Sequence, residues 1–129
     1  MKKILLVLLA MFSVTLCYSK TTWYKSISFS MATVDSNGTY HWGKDEDSSV
    51  SICIDTDEDL IVIYSPTIQT YRVLKAYDVY TDYKGGQQLK FDVVDQDRDL
   101  GSIRLRVDKN GNKQLYVDFS NIAWMYNLK

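Results

Sequence analysis

Scarcity sets the first limits on this chain. Its 129 residues hold only two cysteines, one histidine and one proline. If Cys17 leaves with an N-terminal leader, as read below, Cys53 has no partner and an intramolecular disulfide is excluded. An exported domain without such bridges is held by its core alone. Cys53 stands between Ile52 and Ile54, where a lone thiol serves as a small hydrophobe. A nucleophilic thiol would need a base beside it and a lowered pKa. One histidine and one cysteine cannot supply the three or four ligands of a zinc site. His41 also lacks a serine in a strained G-x-S-x-G turn, so it reads as an ordinary strand residue between Tyr40 and Trp42. Gly85-Gly86 has neither the spacing nor the following helix of a phosphate loop. No cofactor is expected.

Excess basic charge is missing as well. Lysine and arginine number 15 against 16 acids, a formal net charge of −1. Phosphate backbones and anionic bilayers both demand a basic footprint, so nucleic acid is excluded as a partner and no membrane-binding face is expected. A long hydrophobic run is absent too. The longest, Ile4 to Leu16, is about 13 residues, whereas a spanning helix needs about 20. That run is instead the middle of a signal peptide. Lys2 and Lys3 precede it, and Cys17-Tyr18-Ser19 places small residues at −3 and −1 for cleavage after Ser19. We therefore read residues 1–19 as a signal peptide and 20–129 as a single β domain exported to the periplasm or the extracellular space. Losing Lys2 and Lys3 takes the charge from −1 to −3. A lipoprotein site ending at Cys17 is the less favoured reading, because bulky Leu16 precedes it. Only lipidation there would bring the protein to a membrane.

Beyond the leader, apolar residues recur with a period of two. Trp23, Ile27, Phe29 and Met31 alternate with Tyr24, Ser26, Ser28 and Ser30, the pattern of a half-buried strand. Asn37-Gly38 predicts a hairpin turn with both residues at positive φ, followed by a short return strand at Tyr40 and Trp42. Gly43 to Ser48 reads as a polar loop. Val50, Ile52 and Ile54 begin the next strand. Leu60 to Tyr64 is apolar at consecutive positions and reads as buried on both faces. Pro66 ends it. Tyr71, Val73, Tyr77 and Val79 share one side of a long extended stretch. Leu89 to Val94, Ile103 to Val107, Leu115 to Phe119 and Ile122 to Leu128 complete the series, with a second hairpin turn at Asn110-Gly111. The expectation is all-β: an antiparallel meander of eight or nine strands closed as a small, calycin-like barrel, with a two-layer β-sandwich as the alternative.

Two groups of side chains remain as candidates for function. Asp55, Asp57 and Asp59, and again Asp95, Asp97 and Asp99, place carboxylates at every second residue, as calcium loops do. The glycine at position six and the glutamate at position twelve are missing, and solvated turns also favour Asp. The aromatics are the stronger lead. Tyr40, Trp42, Tyr80, Tyr83 and Tyr116, with Tyr24, fall near strand ends or on outer positions and predict a binding surface. The competing reading is high strand propensity alone.

The run Asp59-Leu60-Ile61-Val62-Ile63-Tyr64-Ser65, then Gln69-Thr70-Tyr71, and the ending Trp124-Met125-Tyr126-Asn127 resemble small exported proteins of uncharacterised function from gut-type bacteria and their phages. These residues are structural in character, so the resemblance implies no site. The preferred expectation is a non-enzymatic extracytoplasmic protein that binds a protein, a glycan or a small ligand. A small-ligand carrier is the first alternative, with a barrel cavity lined by residues such as Phe29, Ile54, Phe91 and Leu105. A small hydrolase using paired carboxylates is the second. An exposed edge strand would also allow a homodimer by strand addition.

Overall fold

Hydrophobic alternation is realised as strand after strand, with no helix among the described residues. The structure, a computed structural model, describes residues 21–129. The leader read at 1–19, Cys17 included, lies outside the described residues. Eleven strands follow in order: β1 (Thr21–Val34), β2 (Tyr40–Trp42), β3 (Glu46–Asp47), β4 (Ser51–Asp55), β5 (Leu60–Ile63), β6 (Gln69–Ala76), β7 (Tyr80–Thr81), β8 (Gln87–Val94), β9 (Leu100–Val107), β10 (Lys113–Asp118) and β11 (Ile122–Leu128). Every pairing is antiparallel, and β11 returns to pair with β1 from Ser26 to Thr33. Eight strands thus form a closed barrel, the first of the two architectures expected, and β2, β3 and β7 are short additions. The polar stretch 43–48, read as a loop, contains β3. The chain from Tyr40 to Asp55 in fact runs back along the whole of β1 as one interrupted partner strand.

The core is made where the alternation points inward. Ile52, Ile54, Ile61, Phe91, Leu105 and Leu115 are all at most 2% exposed. Leu60 to Tyr64 is not buried on both faces: Ile61 and Ile63 are buried, Val62 is half-buried and Tyr64 is exposed.

Two bulges overturn the simple alternation elsewhere. Across β1 the register with β11 slips between Ser26 and Ser28, so Ile27 and Ser28 are consecutive outward residues. An extra residue of this kind inverts the parity of everything beyond it. Tyr24 and Ser26 therefore point inward while Trp23 and Ile27 are exposed; after the slip Phe29 turns inward, and Met31, still 44% exposed, lines the barrel mouth. Buried Ser26 is satisfied because its hydroxyl accepts the Val50 N–H and lies 2.8 Å from it, with Ser48 Oγ at 2.7 Å. A second slip, between Val73 and Lys75 of β6, leaves Leu74 and Lys75 as consecutive outward residues and brings Ala76 into the core. Tyr77 then faces out between the Lys75 and Lys90 ammonium groups and does not share the side of Tyr71 and Val73.

Four hairpins share one turn. Asp35, Asp82, Asp95 and Asp108 each accept, through Oδ1, the N–H groups two and four residues ahead. The residue three ahead donates to the aspartate carbonyl and takes positive φ: Gly38, Gly85, Arg98 and Gly111. Asn37 and Asn110 are not in that region. The expected two-residue turn is instead a three-residue loop, a type I turn closed by a glycine bulge. Its signature is Asp-x-x-Gly, with the aspartate side chain as the organiser.

Candidate functional site

On the outer wall, the cross-strand register gathers residues far apart in sequence. One row of outward positions runs Ser28, Asn127, Gln114, Arg106 and Gln88 across β1, β11, β10, β9 and β8. The adjacent row runs Ser30, Met125, Tyr116, Arg104 and Lys90. Trp42 is paired with Ala32 on β2, yet its indole reaches the Tyr116 ring on β10, centroid to centroid 6.1 Å, edge-on. It can span β1 and β11 because small Ala32 and Ala123 occupy the wall between them; both are buried although they face outward. Tyr40 stacks on Trp42 at 6.1 Å.

A groove of roughly 400 Å³ lies between these rings and the β7–β8 hairpin. Tyr40, Trp42, Tyr83 and Tyr116 of the expected binding surface all line it. Tyr80 stands at its flank, its hydroxyl donating to Gln88 Oε1. Tyr24 does not belong: it is buried in the core, where desolvation pushes its phenol up to about 12. Sequence reasoning missed the groove's polar members Gln88, Arg104, Arg106 and Gln114. Only the strand register, which pairs Gln88 with Arg106 and Arg106 with Gln114, would have revealed them.

Those polar groups are held in place. Arg106 Nε donates to Asp82 Oδ2 at 2.7 Å, and Gln88 Nε2 donates to the same oxygen at 2.8 Å. The Arg106 guanidinium, with Gln88 and the turn N–H groups, holds the Asp82 carboxyl well below the usual carboxylate range. A Cβ at Gly86 would stand 2.4 Å from the guanidinium, so a side chain there would displace Arg106 from its place against Asp82. Arg104 donates from Nε to Asp118 Oδ2 at 2.9 Å and lies 4.3 Å from the Tyr116 centroid, a cation–π contact. Both guanidiniums are therefore paired, Arg106 with both oxygens of Asp82 and Arg104 with Oδ2 of Asp118, whose buried Oδ1 has no hydrogen-bond partner among the described residues.

A second cavity, of roughly 540 Å³, opens at the barrel mouth where the interrupted strand leaves a gap beside β1. Phe29 and Met31 of β1, Trp124 and Tyr126 of β11, Tyr71 of β6 and Pro66 form most of its wall. Of the four residues expected around a cavity, only Phe29 lines this one; Ile54, Phe91 and Leu105 are packed in the core. Inside it, Gln69 Nε2 donates to Ser65 Oγ and to Tyr126 Oη, and Gln69 Oε1 accepts the Tyr71 hydroxyl. Burial raises the pKa values of both phenols.

The remaining candidates stay apart. Asp55 and Asp95 use Oδ1 to bind turn N–H groups, and Arg98 interrupts the second acidic run. Among the described residues no group of three or more His, Cys, Asp or Glu could hold a metal ion. His41 Nε2 lies 2.8 Å from Asp35 Oδ2 at a hairpin tip, and that contact heads the causes that lower the Asp35 pKa. Cys53 is a free, buried thiol on the outward row with Trp23 and Val62, its pKa raised by desolvation. No protein-family model, curated protein or solved structure matches the chain.

Proposed function

We propose that this is a non-enzymatic extracytoplasmic binding protein whose outer groove takes an uncharged oligosaccharide. The observation that carries the reading is the gathering of Tyr40, Trp42 and Tyr116 beside the forked polar groups of Gln88, Gln114, Arg104 and Arg106. A sugar ring has an apolar C–H face and a rim of hydroxyls. Aromatic faces bury the former, and planar amides and guanidiniums reach paired hydroxyls through fixed forks of donors. Charge argues for a neutral ligand: Arg104 and Arg106 are balanced by Asp118 and Asp82, which leaves Lys84 as the one lining cation without an acidic partner among the described residues. The lowered pKa of Asp82 also argues against its use as a general acid, which must carry a proton near neutral pH.

A glycan array, followed by titration of the strongest hit, tests this. Trp42→Ala and Tyr116→Ala should each weaken binding about tenfold, the loss expected of a central aromatic contact, with thermal stability little changed. An array without hits, or variants that bind as the parent does, would remove the reading.

A further inference from the structure

We infer that the mouth cavity is a second, independent binding site, for a neutral and largely apolar small molecule that carries one hydrogen-bond acceptor. Its size, roughly 540 Å³, lies within the ordinary range for small-molecule pockets. Its wall is ring-rich and sulfur-containing: Phe29, Trp124, Tyr71 and Tyr126 around Met31. Such a lining favours flat or alicyclic carbon frameworks over flexible polar ones.

Electrostatics narrows the class. Among the described residues no lysine, arginine or histidine lines the cavity, and the one carboxylate is Asp47, on the exposed β3 segment. A carboxylate or phosphate ligand would enter low-dielectric surroundings unpaired and beside a like charge, which is strongly unfavourable.

Hydrogen-bond accounting then supplies the acceptor. Gln69 spends its amide on Ser65 and Tyr126, and its carbonyl on Tyr71. The Ser65 hydroxyl donates to the Thr67 carbonyl. Tyr126 Oη accepts from Gln69 but donates to no group among the described residues, and the buried Trp124 Nε1 on the same wall also lacks a partner among them. Phe29 packs against that ring at 5.6 Å and fixes its direction. A tyrosine hydroxyl keeps its proton at neutral pH, so the site holds an O–H donor at an apolar wall. A ketone, ether or alcohol oxygen completes it. A hydrocarbon of the same shape leaves it unpaired.

Three matched probes test this on protein expressed from the full 129-residue coding sequence: 2-acetylnaphthalene, 2-ethylnaphthalene and 2-naphthoate, titrated by calorimetry. The ketone should bind about fivefold more tightly than the hydrocarbon, the effect of one net hydrogen bond. The carboxylate should bind at least tenfold more weakly than the ketone. Tyr126→Phe should bring the ketone down to the level of the hydrocarbon, Met31→Trp should abolish binding of both, and Trp42→Ala in the outer groove should change neither. The inference is overturned if neither neutral probe binds, if ketone and hydrocarbon bind equally to the parent protein, if naphthoate matches the ketone, or if binding survives Met31→Trp. The ranking on the parent protein decides the matter even where Tyr126→Phe impairs folding. A failed glycan array leaves this result untouched.

Discussion

Several single side chains carry an unresolved physical conflict, and each makes a measurable prediction. Tyr24 places a hydroxyl in the barrel core without a hydrogen-bond partner. An unsatisfied buried hydroxyl costs about 1–3 kcal/mol. Tyr24→Phe keeps the ring and removes the conflict, so chemical denaturation should show a gain of about 1 kcal/mol; a loss of that size would mean the hydroxyl is paired. Arg98 holds φ at 68° where the three sister turns have glycine. A left-handed conformation costs a non-glycine residue about 1 kcal/mol, offset in part by the greater chain entropy of glycine. Arg98→Gly should raise the melting temperature by a few degrees, and an unchanged or lower value would count against strain at that position. Nothing in the sequence distinguishes Tyr24 from the exposed tyrosines, because its fate is set by a bulge three residues later. Arg98 hides among acids that mimic a cation site. The turn becomes visible only when Asp95 is aligned with Asp35, Asp82 and Asp108.

Among the elements, the β7–β8 hairpin links turn chemistry to the outer groove. Asp82 caps its own turn and grips Arg106 on β9, so one carboxylate fixes both the hairpin and a wall of the groove. Its folded pKa lies below the ordinary aspartate value near 4. The stabilisation is therefore complete above about pH 4 and is lost as the pH falls further, through the folded value. Asp35 and Asp108 shift in the same direction and act in the same window. Melting temperatures of the parent should fall more steeply on acidification below about pH 4 than those of Asp82→Asn, and parallel curves would contradict the assignment. At this scale the strands themselves were legible, since Leu89, Phe91 and Val93 or Ile103, Leu105 and Val107 alternate without interruption. The slips at Ile27 and Leu74 were not. Both bulges insert an apolar residue, which leaves the written pattern intact while exchanging the two faces.

The molecule as a whole depends on one seam. The β1–β11 pairing closes the barrel, and its two surfaces serve different sites. Phe29, Met31, Trp124 and Tyr126 face the mouth cavity, while Ser28, Ala32, Ala123 and Asn127 face outward, where Trp42 crosses to Tyr116. Because the ring is closed, the exposed edges among the described residues belong to the short strands β2, β3 and β7. Deleting residues 122–128 would bare both β1 and β10. Light scattering should then report association through those edges, whereas a stable, non-associating product would show that the seam is dispensable. An antiparallel barrel was foreseeable from the succession of hairpins. The sites were less so, because each is assembled from strands whose juxtaposition only closure creates.

That closure also imposes an order of events. The residues that shut the barrel, 122–128, are made long after their partners in β1. Any nascent chain that has not yet reached Ile122 is an open sheet, unable to finish either pocket. Closure must wait until residues 122–128 are free to reach β1, so this architecture matures late, through a pairing of high sequence separation.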